Sequence, residues 1–130
     1  MNKALAALAA AGIAATSLIA VAPTASAAGC VTSGIWTGYL EPGTVVYKAS
    51  GGCSDLNLTY ADAKDDTSDY YVGFYKNAAG EWRAGSRGYF AIDDGRYGTD
   101  TFVLVSDLTP GRAFSVGAFS YGGDYVEITH

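Results

Sequence analysis

From residue 28 onward the chain is heavily punctuated. Gly, Asp and Asn clusters interrupt it roughly every eight to twelve residues, and the runs between them are rich in Val, Thr, Tyr and Phe. No stretch repeats apolar residues at the spacing that buries one face of a helix. The pattern predicts an all-β domain, a small antiparallel β-sandwich or a barrel-like closure of one. Strands are expected at Ile35–Leu40, Thr44–Ala49, Asp55–Tyr60, Tyr70–Lys76, Glu81–Ala84, Gly88–Ile92, Thr101–Val105, Arg112–Phe119 and Tyr125–Thr129.

Turn chemistry supplies the connections. Glu41-Pro42-Gly43 presets φ at Pro and permits positive φ at Gly, so it is expected to join the first two strands tightly. Ala78-Ala79-Gly80, Asp93-Asp94-Gly95 and Tyr121-Gly122-Gly123-Asp124 each read as closing a hairpin. Alternation then assigns faces. Leu56, Leu58 and Tyr60 form one apolar side, and Phe114, Val116 and Ala118 another. The acidic stretch from Asp62 to Asp69 reads as an exposed loop.

Residues 1–27 have the form of a secretory signal peptide. Lys3 supplies the positive n-region, Ala4 to Val21 the apolar segment, and Ala25-Ser26-Ala27 the small residues before the cut. Cleavage there leaves a single domain, residues 28–130, with no membrane attachment. Removing Lys3 leaves seven basic against thirteen acidic side chains, a net charge of −6. With no basic patch to offset it, that charge argues against nucleic acid as a partner.

Two cysteines remain, Cys30 and Cys53. Outside the cytosol an isolated pair is most simply a structural disulfide, here closing a loop from residue 30 to 53.

Catalytic groups are sparse. The single histidine is the last residue, His130, and no clustered His or Cys exists for zinc. No cofactor is expected and no metal site is assigned. Asp93, Asp94 and Asp100, and Asp62, Asp65, Asp66 and Asp69, offer at most ligands for a weak structural calcium ion. The carboxylates leave open a small hydrolase.

The feature above background is aromatic: ten Tyr, five Phe and two Trp. Every buried Tyr hydroxyl needs a partner, so some of these rings are expected at the surface, where they anchor interfaces or stack on sugars. Trp82 leaves a hairpin between Glu81 and Arg83. Its partner strand alternates Val72 and Phe74 with Tyr71 and Tyr75. If Val72 and Phe74 point inward, Trp82, Tyr71 and Tyr75 form an outward binding face, with Arg83 and Arg87 beside it. Trp36 and Tyr39 are the second candidate pair.

Two segments carry resemblances. The nine residues from Leu108 to Val116, with Leu108-Thr109-Pro110-Gly111 as the turn, resemble the corner of fibronectin type III and related sandwiches, which swings the chain from one sheet to the other; Phe114 stands where those domains have Tyr. Cys30, Trp36 with Tyr39, Gly52-Cys53 and the strand from Leu56 to Tyr60 resemble the small secreted actinobacterial proteinaceous α-amylase inhibitors. That family's Trp-Arg-Tyr triplet and second disulfide are missing here, so its enzyme-contacting site is not carried over. The expected function is a secreted, non-catalytic interaction domain that binds an extracellular protein, an enzyme it inhibits being one such target. The alternative is a module binding polysaccharide or cell wall through surface Trp and Tyr.

Overall fold

The computed structural model describes residues 29–130; the expected signal peptide lies outside the described residues. Eleven strands are formed there: β1 (Thr32–Trp36), β2 (Gly38–Tyr39), β3 (Val46–Tyr47), β4 (Leu56–Asp62), β5 (Ser68–Lys76), β6 (Trp82–Ala84), β7 (Phe90–Asp93), β8 (Gly95–Arg96), β9 (Val103–Val105), β10 (Ala113–Ala118) and β11 (Tyr125–Thr129). The fold is all-β, as the punctuation predicts.

Sheet 1 has the order β9-β4-β11-β1, with β8 also on β4. Sheet 2 has the order β2-β10-β5-β6, with β3 also on β10 and β7 on β5. Pairing is antiparallel except between β2 and β10. Short strands lie end to end along the edges: β2 and β3 along β10, β6 and β7 along β5, and β8 and β9 along β4. Interrupted edges of this kind offer no long row of free backbone groups to a second chain.

The inner faces enclose Ile35, Leu56, Leu58, Tyr71, Ile92, Leu104, Phe114, Val116, Val126 and Ile128, each essentially without solvent contact. Phe114, Val116 and Ala118 point inward as alternation requires. Tyr60 does not share a face with Leu56 and Leu58. The register of β4 against β11 slips between Glu127, which faces Tyr60, and Ile128, which faces Leu58. The extra residue is Thr59, a bulge that turns Tyr60 outward and brings Ala61 into the core.

Of the expected hairpins, only the one at Ala78-Ala79-Gly80 forms. The Asn77 side chain accepts from the Ala79 and Glu81 amides, and Gly80 takes φ 78°. Asp94 instead carries the chain from β7 in sheet 2 to β8 in sheet 1, and Tyr121–Asp124 carry it from β10 to β11. Glu41-Pro42-Gly43 does not pair two strands either. It folds over the outer face of sheet 2, where the Glu41 backbone crowds Gly117 and the Ser115 hydroxyl donates to Thr44 O at 2.7 Å. The Leu108–Arg112 corner does cross from sheet 1 to sheet 2, with Leu108 buried and Gly111 at φ 87°.

Cys30 and Cys53 form the expected disulfide, with a Cα–Cα distance of 5.2 Å. Beside it the Lys48 ammonium is buried and donates to the carbonyls of Ala49 and Cys53. Burial lowers its pKa, and Asp55 opposes that shift.

Candidate functional site

The face proposed for Trp82, Tyr71 and Tyr75 does not exist. Tyr71 is fully buried in the core, paired with Phe90, and Tyr75 packs against the core on the same side of β5. Trp82 pairs with Lys76 and lies on the opposite side, with the Lys76 ammonium 5.4 Å from its ring centre. Gly73 explains the inversion. A Cβ there would fall 2.8 Å from Val105 and 3.0 Å from Leu104, so this is where sheet 1 approaches β5 most closely. Tyr71 and Tyr75 share the face of Gly73 and therefore point inward. Val72 and Phe74 point out, beneath the Glu41–Thr44 loop, with Phe74 against Gly117. Arg83 pairs with Glu81 at 2.9 Å in water. Arg87 bonds Ser106 and joins Tyr75 and Arg112 around a cleft of about 270 Å³ at one end of the sandwich.

The exposed rings lie elsewhere. Beyond the reach of the Glu41–Thr44 loop, the outer face of sheet 2 is bare, and Tyr70, Phe119 and Tyr89 occupy it. Phe119 meets Tyr70 edge-on at 6.0 Å and Tyr89 at 5.5 Å. Tyr70 is 50% and Phe119 55% exposed. Their positions follow from strand parity: Ala118 and Tyr71 are paired inward, so Phe119 and Tyr70 must face out. Tyr39 and Leu40 flank the same end of the sheet. The Leu40 amide donates to Ala118 O, and the Tyr39 backbone lies against Gly122 beside exposed Tyr121.

A second aromatic row crosses the outer face of sheet 1. Trp36, 60% exposed, pairs with Tyr125 across β1 and β11 at a ring distance of 5.0 Å. Tyr125 meets Tyr60 at 6.0 Å, and the Arg96 guanidinium sits 4.5 Å over Tyr60. Glu127 orders the row by accepting from the Tyr125 hydroxyl at 3.1 Å and from Arg96 at 3.4 Å. Burial, with the Glu127 charge adding to it, pushes the Tyr125 hydroxyl up to about 12.

His130 is buried and held at both ring nitrogens. Nδ1 accepts from the Ala49 amide at 3.0 Å, so the ring proton is on Nε2, which donates to Ser33 Oγ at 2.9 Å. An Nε2 that carries a proton cannot take one from Ser33, so this contact does not activate a nucleophile. Burial holds the ring pKa down at about 4, and the Lys48 charge adds to the effect.

Asp69, expected in an exposed loop, is buried and accepts from the Tyr70 and Ser120 amides at 2.7 and 3.0 Å. Asp94 Oδ1 accepts from the Ala63 amide at 2.8 Å. Among the described residues no group of three or more His, Cys, Asp or Glu side chains is placed to hold a metal ion.

Comparison with protein families, with curated proteins and with solved structures finds no match for this chain. Of the aromatic residues singled out in the sequence, Trp36 and Tyr39 are exposed, and Arg83 and Arg87 are exposed as well. Tyr70, Tyr89, Phe119, Tyr60 and Tyr125 were missed. A strand glycine marking the core side of β5 was the available signal for Tyr70; no residue announces the bulge that exposes Tyr60.

Proposed function

We propose that this chain is a secreted, non-catalytic interaction domain that binds an extracellular protein through Tyr70, Phe119 and Tyr89. The observation that carries the proposal is that these three touching rings stand half in water with nothing covering them. Edge-to-face packing of this kind contributes about 0.5–1.5 kcal/mol per pair, which keeps the rings ordered before any partner arrives. Aromatic clusters that remain exposed are the usual centre of a protein interface, because large rings bury much area at small entropic cost. The disulfide and the leader support export, and no described helix is long and apolar enough to cross a membrane. The proton on His130 Nε2 supports the non-catalytic reading.

The test is capture from the secreting organism's culture medium on immobilised residues 28–130. The same experiment is run with a Phe119→Ser/Tyr89→Ser variant and with Trp36→Ala. A protein retained by the wild type and by Trp36→Ala, but lost from the double variant, supports the proposal. No retained protein, or retention that the double variant leaves unchanged, overturns it.

A further inference from the structure

On the opposite sheet, Trp36 and Tyr125 meet at 57° and form two walls of an open recess of about 320 Å³, completed by Asp62, Lys64 and Gly123. The Tyr125 ring lies across Gly34. A Cβ on Gly34 would collide with the Tyr125 hydroxyl oxygen and fall 2.8 Å from the ring, so only a residue without a side chain lets the ring rest on the sheet. Glu127 fixes the hydroxyl. The aromatic wall is therefore set in place without a ligand, which lowers the entropic cost of binding one.

The polar lining is the informative part. The Asp62 carboxylate and the Lys64 ammonium make no hydrogen bond and no ion pair with any other described side chain, and both are exposed at the recess. The recess thus offers two ring walls, one free acceptor and one free donor. A carboxylate or phosphate ligand would meet Asp62, and a cationic one Lys64. A proline-rich segment would fit the rings, but proline has no N–H to give to Asp62. A neutral polyhydroxylated ring uses every feature: its C–H face packs on the aromatic walls, one hydroxyl donates to Asp62, and another accepts from Lys64.

We infer that the recess between Trp36 and Tyr125 is a binding site for one neutral sugar unit of a polysaccharide. It shares no residue with the Tyr70–Phe119–Tyr89 cluster, so either assignment stands or falls without the other.

The test uses Trp82→Phe protein, in which Trp36 is the only tryptophan. Its emission is followed during titration with cellohexaose, xylohexaose, maltohexaose, chitohexaose and a proline-rich decapeptide. A saturable change with at least one oligosaccharide at millimolar concentration or below is expected. Binding should weaken about tenfold or more with Tyr125→Ala, and also with Asp62→Ala, whose exposed side chain supports nothing else. The proposal is overturned if no oligosaccharide gives a saturable change, if only the peptide does, or if binding survives either substitution undiminished.

Discussion

The Tyr71 hydroxyl donates to Asp124 Oδ2 at 3.0 Å, tying the inner face of β5 to the corner where the chain leaves β10 for β11. Oδ1 of the same carboxylate accepts the Lys64 amide at 2.8 Å, and the Asp124 backbone bonds Thr37 at the β1–β2 corner. Three crossings between the sheets therefore meet on one buried residue. Tyr71→Phe removes a donor and leaves a buried carboxyl oxygen without its partner. The expected loss is about 1–3 kcal/mol, read as a lower urea midpoint with an unchanged slope.

Asp124 also sets a pH dependence. Burial raises its pKa above the unfolded value, and the nearby Asp69 carboxyl adds to the rise; the Lys64 amide and Tyr71 hydroxyl only partly offset it. A raised carboxyl favours folding most in acid, and that contribution is lost as pH rises through the folded pKa. Denaturation series from acid to neutral pH should show this decline in the stability difference between the wild type and Asp124→Asn, from which the contributions common to both proteins cancel.

His130 acts in the opposite sense. Its folded pKa of about 4 lies below the ordinary 6.5. The stability it contributes is fully present above pH 6.5 and is lost as pH falls toward 4, on the order of 3 kcal/mol in all. The chain has one histidine, so its Hε1 resonance reports this ring alone. That resonance should titrate near 4; a midpoint near 6.5 would mean the ring is not held between Ala49 and Ser33.

The Cys30–Cys53 bridge joins the segment before β1 to the segment before β4, two strands of sheet 1 that are not neighbours, since β11 lies between them. Replacing both cysteines by Ser should lower stability by about 2–4 kcal/mol while far-ultraviolet circular dichroism remains that of a β protein. An unchanged denaturant midpoint would show that Lys48 and the surrounding backbone hold this loop without the bridge.

Strand positions were legible because alternation and turn residues are local. Each expected strand overlaps an observed one, and Phe114, Val116 and Ala118 face the core as expected. Partner choice was not legible. Gly95 and Gly122 mark bends, but a bend between two strands of one sheet and a bend between two sheets demand the same backbone freedom. Face assignment failed where a single residue changed the phase, as Thr59 does for Tyr60. It also failed where both faces of a strand are apolar. Val72 and Tyr71 are both buried, one under the Glu41–Thr44 loop and one under sheet 1, so hydrophobicity alone could not say which side faced the larger core. The binding candidates went astray with that choice, since reversing β5 exchanges Tyr71 for Tyr70.

Docking of a partner protein on the bare end of sheet 2, as proposed, is open to site-specific photo-crosslinking. Benzoylphenylalanine is placed at Phe119 in one sample and at Trp82, on the same sheet but at the start of β6 beside the opposite end of β5, in another, and each is irradiated in the source organism's culture medium. A discrete protein adduct is expected from position 119 and none from position 82. Adducts from position 82 alone, or from neither position, would contradict it.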